Sequence, residues 1–106
     1  MHVVSIRPFR DAARDYPNDA QALMDIYRNL NRNSARYGSP EEMRRVYPSL
    51  DNFKYRDKWW VLDVGGNNLR IIMSVEFRSG TIFIKHIVTH AEYDKLTDRY
   101  RKGELT

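Results

Sequence analysis

The chain contains no cysteine, and in 106 residues it has only three histidines, four prolines and five glycines. Lack of cysteine excludes a disulfide framework, a thiolate metal site and a thiol nucleophile, and it fits a reducing compartment. Histidines at positions 2, 86 and 90 do not make a closed metal site, so no metal or cofactor is expected. The opening run Met1-His2-Val3-Val4-Ser5-Ile6 is broken by Arg7 and Pro8, far short of a signal-peptide core or a membrane span. The protein is therefore expected in the cytosol, with no membrane partner. Gly65-Gly66 lacks the third glycine and the helix of a dinucleotide fingerprint and reads as a turn, and no serine-centred triad is evident.

What is present is enough for one domain spanning residues 1–106. A 42% apolar fraction with 12% aromatics supports a packed core, while 30% charged residues and a mean hydropathy of −0.70 imply a heavily solvated surface. Eighteen basic against fourteen acidic residues give a net charge of +4 and a pI near 9.5, which favours polyanionic partners without identifying one.

The two halves differ in pattern. Val3 to Ile6 is a short candidate strand, and Phe9, Ala12, Ala13 and Tyr16 then follow helical spacing up to Pro17. Asn18 offers an N-cap for a second helix striped by Ala20, Leu23, Met24, Tyr27 and Leu30. Residues 31–39 have no period, and Ser39-Pro40-Glu41-Glu42 is a capping box for a brief helix closed by Pro48. The second half reads as a β-meander: Trp59–Val64, Leu69–Phe77 and Thr81–Val88, joined by Gly65-Gly66-Asn67-Asn68 and by Ser79-Gly80. A second capping box, Thr89-His90-Ala91-Glu92, opens a C-terminal helix carrying Tyr93, Leu96 and Tyr100. The expected fold is α+β, with N-terminal helices packed on a twisted antiparallel sheet and a short C-terminal helix.

Strand alternation assigns the faces. A two-residue loop at Ser79-Gly80 would set Arg78 opposite Thr81 and Ser74 opposite Lys85, and would join Arg70, Ile72, Ser74 and Glu76 to Phe83, Lys85, Ile87 and Thr89 on one semi-polar, exposed face. The opposite face, with Ile71, Met73, Val75, Ile82, Ile84 and His86, would pack under the helices, which makes His86 a core residue. Pairing Val64 with Leu69 adds Trp60, Leu62 and Val64 to the core and Trp59, Val61 and Asp63 to the other face.

Several side chains on that exposed face have both a chemical and a plain structural account. His90, in the first turn of a helix, is a candidate general acid or base or simply a surface histidine. Arg70 and Lys85 are candidate phosphate ligands near the helix start, yet Asp63 opposite Arg70 and Glu76 diagonal to Lys85 offer ordinary ion pairs. Tyr93 is placed to stack on a base or to fill the core beside Leu96 and Tyr100. Lys54, Arg56 and Lys58, interleaved with Phe53, Tyr55, Trp59 and Trp60, form a basic aromatic stretch of the kind that binds single-stranded nucleic acid, although solvated strand ends share that composition.

Tyr47-Pro48-Ser49-Leu50-Asp51-Asn52-Phe53-Lys54-Tyr55, then Gly65-Gly66-Asn67-Asn68-Leu69-Arg70, then Thr89-His90-Ala91-Glu92-Tyr93-Asp94, in this order and after two helices, resemble the HigB-type toxins of bacterial toxin-antitoxin systems, whose fold is similar to that of RelE. The resemblance implies a RelE-like sheet, cleavage of messenger RNA on the translating ribosome, and silencing by a HigA-type helix-turn-helix antitoxin. It also implies metal-free chemistry, in which the substrate 2′-hydroxyl attacks the adjacent phosphate. The matching positions are Arg70, Lys85, His90, Tyr93 and Asp94. The implied roles are proton transfer for His90, charge stabilisation for Arg70 and Lys85, and nucleotide orientation for Tyr93, with Asp94 beside it in the RNA site. Trp59 stands where relatives often carry a basic residue, and the lysine pair of RelE has no residue-by-residue match, so Lys54, Lys58 and Trp59 are RNA-binding candidates. A non-catalytic RNA- or ribosome-binding module of the same fold is the alternative. A weaker third reading is a protein-interaction domain whose basic surface serves an acidic partner.

Overall fold

The computed structural model describes residues 1–32, 34–66 and 68–104. Pro8 lies in the first turn of α1 (Arg7–Asp15), where the N–H it lacks has no helical partner to lose. Phe9 and Ala12 are the buried residues of that helix. Pro17 ends it, and one turn of 3-10 helix over Pro17–Asp19 leads into α2 (Ala20–Leu30), which buries Leu23 and Leu30. The cap expected at Asn18 is not formed. Asp19 directly precedes α2 and makes no side-chain cap; its Oδ1 accepts from Asn68 Nδ2 at 3.2 Å. Gly65 presses against the same carboxylate with φ at +61°, and a Cβ there would fall 2.3 Å from Asp19 Oδ1. The start of α2 is thus fastened to the turn after the first long strand.

In α3 (Pro40–Val46) the Ser39 hydroxyl accepts from Glu42 N at 3.3 Å, but the Glu42 carboxylate turns to Gly38 N at 2.8 Å, so only half of the expected box closes. The box opening α4 (His90–Arg101) is complete: Thr89 Oγ1 accepts from Glu92 N at 3.2 Å, and Glu92 Oε1 accepts from Thr89 N at 2.9 Å.

Five strands form one sheet in the order β1-β5-β4-β3-β2, with β1 at His2–Val3, β2 at Asp51–Asn52, β3 at Trp59–Val64, β4 at Leu69–Glu76 and β5 at Thr81–Thr89. The β2 to β5 pairings are antiparallel, as expected for a meander, while β1 lies parallel to β5 at Thr81 and Ile82, so the sheet is mixed at one edge. The first strand is shorter than the Val3 to Ile6 run, because Ile6 already serves as the N-cap position of α1.

The β3–β4 register is the expected one, Val64 on Leu69 through Trp59 on Ser74. The β4–β5 register is not. Glu76 pairs with Thr81 across a four-residue loop closed by Gly80 N donating to Glu76 O at 2.9 Å, which places Ser74 opposite Phe83 in place of Lys85. That shift of two residues leaves every side chain on its expected face. A β-bulge then reverses the faces beyond it: Met73 pairs with Ile84 but Ile72 pairs with His86, leaving Lys85 as the extra residue.

Hydrophobic packing occupies both faces. On one, α1 and α2 cover Leu62, Val64, Leu69, Ile71, Met73 and Ile82. On the other, α4 and Phe53 cover Val61 and Ile72, the latter fully buried. The face expected to be exposed therefore carries a second small core, and its polar residues sit on the rim of that core. Among the described residues no helix is long and apolar enough to cross a membrane.

Candidate functional site

The polar residues of the α4 face fall into two groups. The first centres on Arg70. Its guanidinium lies 4.4 Å from the centre of the Tyr93 ring, and its Nε is 3.4 Å from Asp63 Oδ1 on the neighbouring strand. Both partners of the ion pair are largely shielded, with side chains 22% and 35% exposed. Tyr93 is half-buried; burial pushes its phenol up, and the Arg70 charge opposes that shift. The two accounts of Tyr93 thus coexist, since it packs against the Phe53–Ile72 core and also floors the Arg70 guanidinium. Arg70 has the expected Asp63 pair as well, which holds its planar head in place.

The second group lies further along β5. Lys85 Nζ is 5.3 Å from the centre of the Trp59 ring and 5.7 Å from that of Phe83, which is 44% exposed. Trp59 also meets the Tyr100 ring edge-on at 5.5 Å, and the Arg56 guanidinium covers Tyr100 at 4.7 Å. Trp59, Phe83, Ser74, Lys58 and Glu76 line a cavity of about 500 Å³. The diagonal Lys85–Glu76 pair expected from the sequence is not formed; Glu76 Oε2 faces Lys58 Nζ at 3.8 Å, leaving the Lys85 ammonium over the aromatic rings. Lys58 holds φ at +64°, the one non-glycine residue in the left-handed region among those described. Such a conformation costs on the order of 1 kcal/mol and persists where the surroundings enforce it. Here Val75 N donates to the Lys58 carbonyl at 3.1 Å.

The correction with the largest consequence concerns His86. Placed in the core by strict alternation, it is turned by the bulge to the α4 face, where its Nε2 lies 2.8 Å from the Tyr100 hydroxyl. Half-burial, with the adjacent Lys85 charge, pushes its imidazole below the ordinary value, and burial pushes the Tyr100 phenol up. His86 and Tyr100 were not among the expected site residues, nor was Phe83. The run Ile82-Phe83-Ile84-Lys85-His86 has no glycine or proline to mark the bulge, and only the crowding of Lys85 and His86 beside an aromatic strand end hinted at it.

His90 is exposed at the first position of α4 and takes no part in the contacts that define either group among the described residues. Val88, opposite Arg70, is three residues from Lys85, a strand distance of roughly 10 Å, so Arg70 and Lys85 are spaced for different parts of a ligand. Lys54 is exposed with Nζ 5.3 Å from the Tyr55 ring centre, and Asp94 is exposed on α4 beside Tyr93. No group of three or more His, Asp or Glu side chains is gathered for a metal ion among the described residues. The arrangement offers cations held over aromatic faces, a geometry suited to stacked bases and their phosphates.

Residues 19–96 match the family model for HigB toxins, described as the RelE-like toxic component of a toxin-antitoxin system. The chain belongs to the HigB toxin family. Relatives extend the match to nearly the whole chain. It is 55% identical over 104 residues, 98% of this chain and 99% of the relative, to a protein of Escherichia coli O6:H1 named mRNA interferase HigB. A Shigella flexneri protein of the same name is 39% identical over 105 residues, with coverage of 98% and 99%. Membership in a toxin-antitoxin family makes an antitoxin the natural partner of this HigB toxin. It also accounts for the α+β architecture of helices packed on a five-stranded sheet.

Proposed function

We propose that this HigB toxin is an endoribonuclease that cuts messenger RNA on the ribosome in the cytosol, held inactive by a helix-turn-helix antitoxin of the HigA type. The observation that carries the reading is the rim of the α4 face, where the cations Arg70, Lys85 and Arg56 each lie over an aromatic ring. The relatives' name, mRNA interferase, supports the same activity. RNA offers such a surface two matching features, a flat base for the rings and a charged backbone for the cations.

In this reading Trp59 and the exposed Phe83 receive a base in the cavity beside Lys58, and Lys85 meets the phosphate next to it. Lys54 and Lys58 extend the electrostatic track, while Tyr93 and Asp94 border the part of the RNA held by Arg70. Cleavage uses the RNA's own 2′-hydroxyl. As O2′ attacks phosphorus and the bond to O5′ breaks, negative charge grows on the non-bridging oxygens and Lys85 stabilises it, while Arg70, about 10 Å along the strand, holds a neighbouring phosphate of the same RNA. The products are a 2′,3′-cyclic phosphate and a 5′-hydroxyl. No metal is required, because the nucleophile is positioned by the substrate itself and the proton can pass to an imidazole, for which His90 and His86 are the two candidates.

The test is induction of the toxin followed by mapping of transcript ends, with and without ribosomes in a purified system. Cuts inside reading frames that require ribosomes are expected. Growth arrest with intact transcripts would replace this reading with that of a non-catalytic ribosome-binding module.

A further inference from the structure

We propose that His86, carried onto the α4 face by the bulge at Lys85 and held by the Tyr100 hydroxyl, takes the proton from the attacking 2′-hydroxyl. This rests on the ribonuclease reading above and assigns its base. The bulge costs the sheet one backbone pairing and brings Lys85 and His86 to the same face. Lys85 stands over Trp59, and Trp59 touches the Tyr100 ring whose hydroxyl holds His86. A phosphate next to a base stacked on Trp59 therefore lies beside this imidazole. His90, at the exposed start of α4, has no comparable orienting partner among the described residues.

One hydrogen bond at Nε2 leaves Nδ1 to act. In the tautomer that serves as a base, Nε2–H donates to the Tyr100 oxygen and Nδ1 keeps its lone pair, so Tyr100 is a positioning residue. Tyr100 is itself fixed by Phe53 at 5.3 Å and Trp59 at 5.5 Å. The groups facing His86 differ on its two sides. Toward α1 lies a groove with Asp11, Asp15, Tyr16 and Lys85, and toward the outer side of α4 a second groove of about 220 Å³ carries Lys95 and Arg99, with Glu92 bordering both. RNA would follow the second, away from the carboxylates of α1. Half-burial and Lys85 favour the neutral imidazole that a base requires.

The step balances simply. The 2′-hydroxyl proton passes to Nδ1 as the O2′–P bond forms, the P–O5′ bond breaks with its electron pair on O5′, and O5′ takes a proton from water. The imidazolium then returns its proton to solvent.

The deciding experiment is single-turnover cleavage of a defined message on ribosomes from pH 5 to 9, for the full-length wild type and for His86→Ala, His86→Gln, Tyr100→Phe and His90→Ala. Folding of each is checked by thermal unfolding. His86→Ala is expected to lower the rate at least 100-fold and to abolish the rise in rate with pH that imidazole deprotonation gives, with free imidazole restoring part of the activity. His86→Gln keeps a partner for Tyr100 and so remains folded, yet it should be as slow. Tyr100→Phe should shift the midpoint of the pH profile. The proposal is overturned if His86→Gln cuts within threefold of wild type with an unchanged profile, or if His90→Ala alone removes the pH-dependent rise. Failure of the wild type to cut at any pH would instead refute the nuclease reading itself.

Discussion

Replacing Arg70 separates a structural clamp from a phosphate ligand, because its contacts with Asp63 and Tyr93 set the scale of what the change costs in stability. The ion pair with Asp63 at 3.4 Å is largely shielded and lies between an exposed pair, worth under 1 kcal/mol, and a buried pair, whose breaking costs about 3–5 kcal/mol. Loss of the guanidinium over Tyr93 at 4.4 Å adds about 0.5–1 kcal/mol. Arg70→Ala is therefore expected to destabilise by about 2 kcal/mol, or roughly 10 °C in Tm for a domain of this size. A domain with a stability of even ~5 kcal/mol would still be about 99% folded at 25 °C. Loss of a cation that aligns the RNA for attack costs about 100-fold in rate, which that folded fraction cannot explain. Asp63→Asn provides the control, since it breaks the same pair but leaves the cation on Tyr93. It should lower Tm by a few degrees and keep activity within threefold. The assay is cleavage of a defined transcript in a translating extract, normalised to folded protein measured by thermal unfolding. If Arg70→Ala retains activity within threefold per folded molecule, or if Asp63→Asn loses as much as Arg70→Ala, then Arg70 is only a clamp.

Three further outcomes are expected. Thr89→Ala opens the capping box and should cost about 1 kcal/mol, visible as a lower Tm, while Thr89→Ser should restore most of it. Lys58→Gly relieves a left-handed lysine but gives the unfolded chain more freedom, so stability should change by less than about 1 kcal/mol; RNA affinity should fall, and the slope of log affinity against log salt should decrease by about 0.7. Glu92 is held below the ordinary glutamate value, chiefly by Thr89 N–H, with the Thr89 hydroxyl and the Tyr16 hydroxyl aiding and burial opposing. Its folded value being the lower one, its contribution is present above about pH 4.3 and lost as pH falls through the folded value. Denaturant midpoints of Glu92→Gln should accordingly depend less on pH in that acidic window, and an unchanged dependence would assign it to other carboxylates.

The legible parts of this fold were those written by local rules. Alternation in Trp59–Val64 and Leu69–Glu76, together with a glycine turn between them, determined the β3–β4 register and hence the Arg70–Asp63 pair. The capping box at Thr89 likewise fixed where α4 begins. Non-local terms decided what stayed hidden. Asn18 does not cap α2 because it lies within the 3-10 turn Pro17–Asp19, and Asp19, which holds the cap position instead, accepts from Asn68, 49 positions away. The β4–β5 loop took four residues in place of two because Phe77 is drawn against Trp60, with ring centres 6.3 Å apart, and leaves the strand pattern.

The bulge shows why the site was harder to see than the fold. Both His86 and His90 were visible as titratable residues, and alternation alone sent the first to the core and left the second exposed. A single extra residue in β5 reverses parity from that point on, at no cost in hydrophobic pattern, because Ile84 lies before it and Ile87 after it and both pack toward the α1–α2 side. Burial of Ile72 then forces α4 down onto the face, and the Tyr100 hydroxyl and the His86 imidazole satisfy one another at its edge. It follows that α4 does more than cover a core: because Tyr93 lies under Arg70 and Tyr100 under Arg56, lifting the helix would strip both cations of their aromatic floors together. Any partner that displaces α4 therefore removes the rings under Arg70 and Arg56 and the Tyr100 hydroxyl from His86 in one motion, and leaves Lys85 over Trp59 and Phe83.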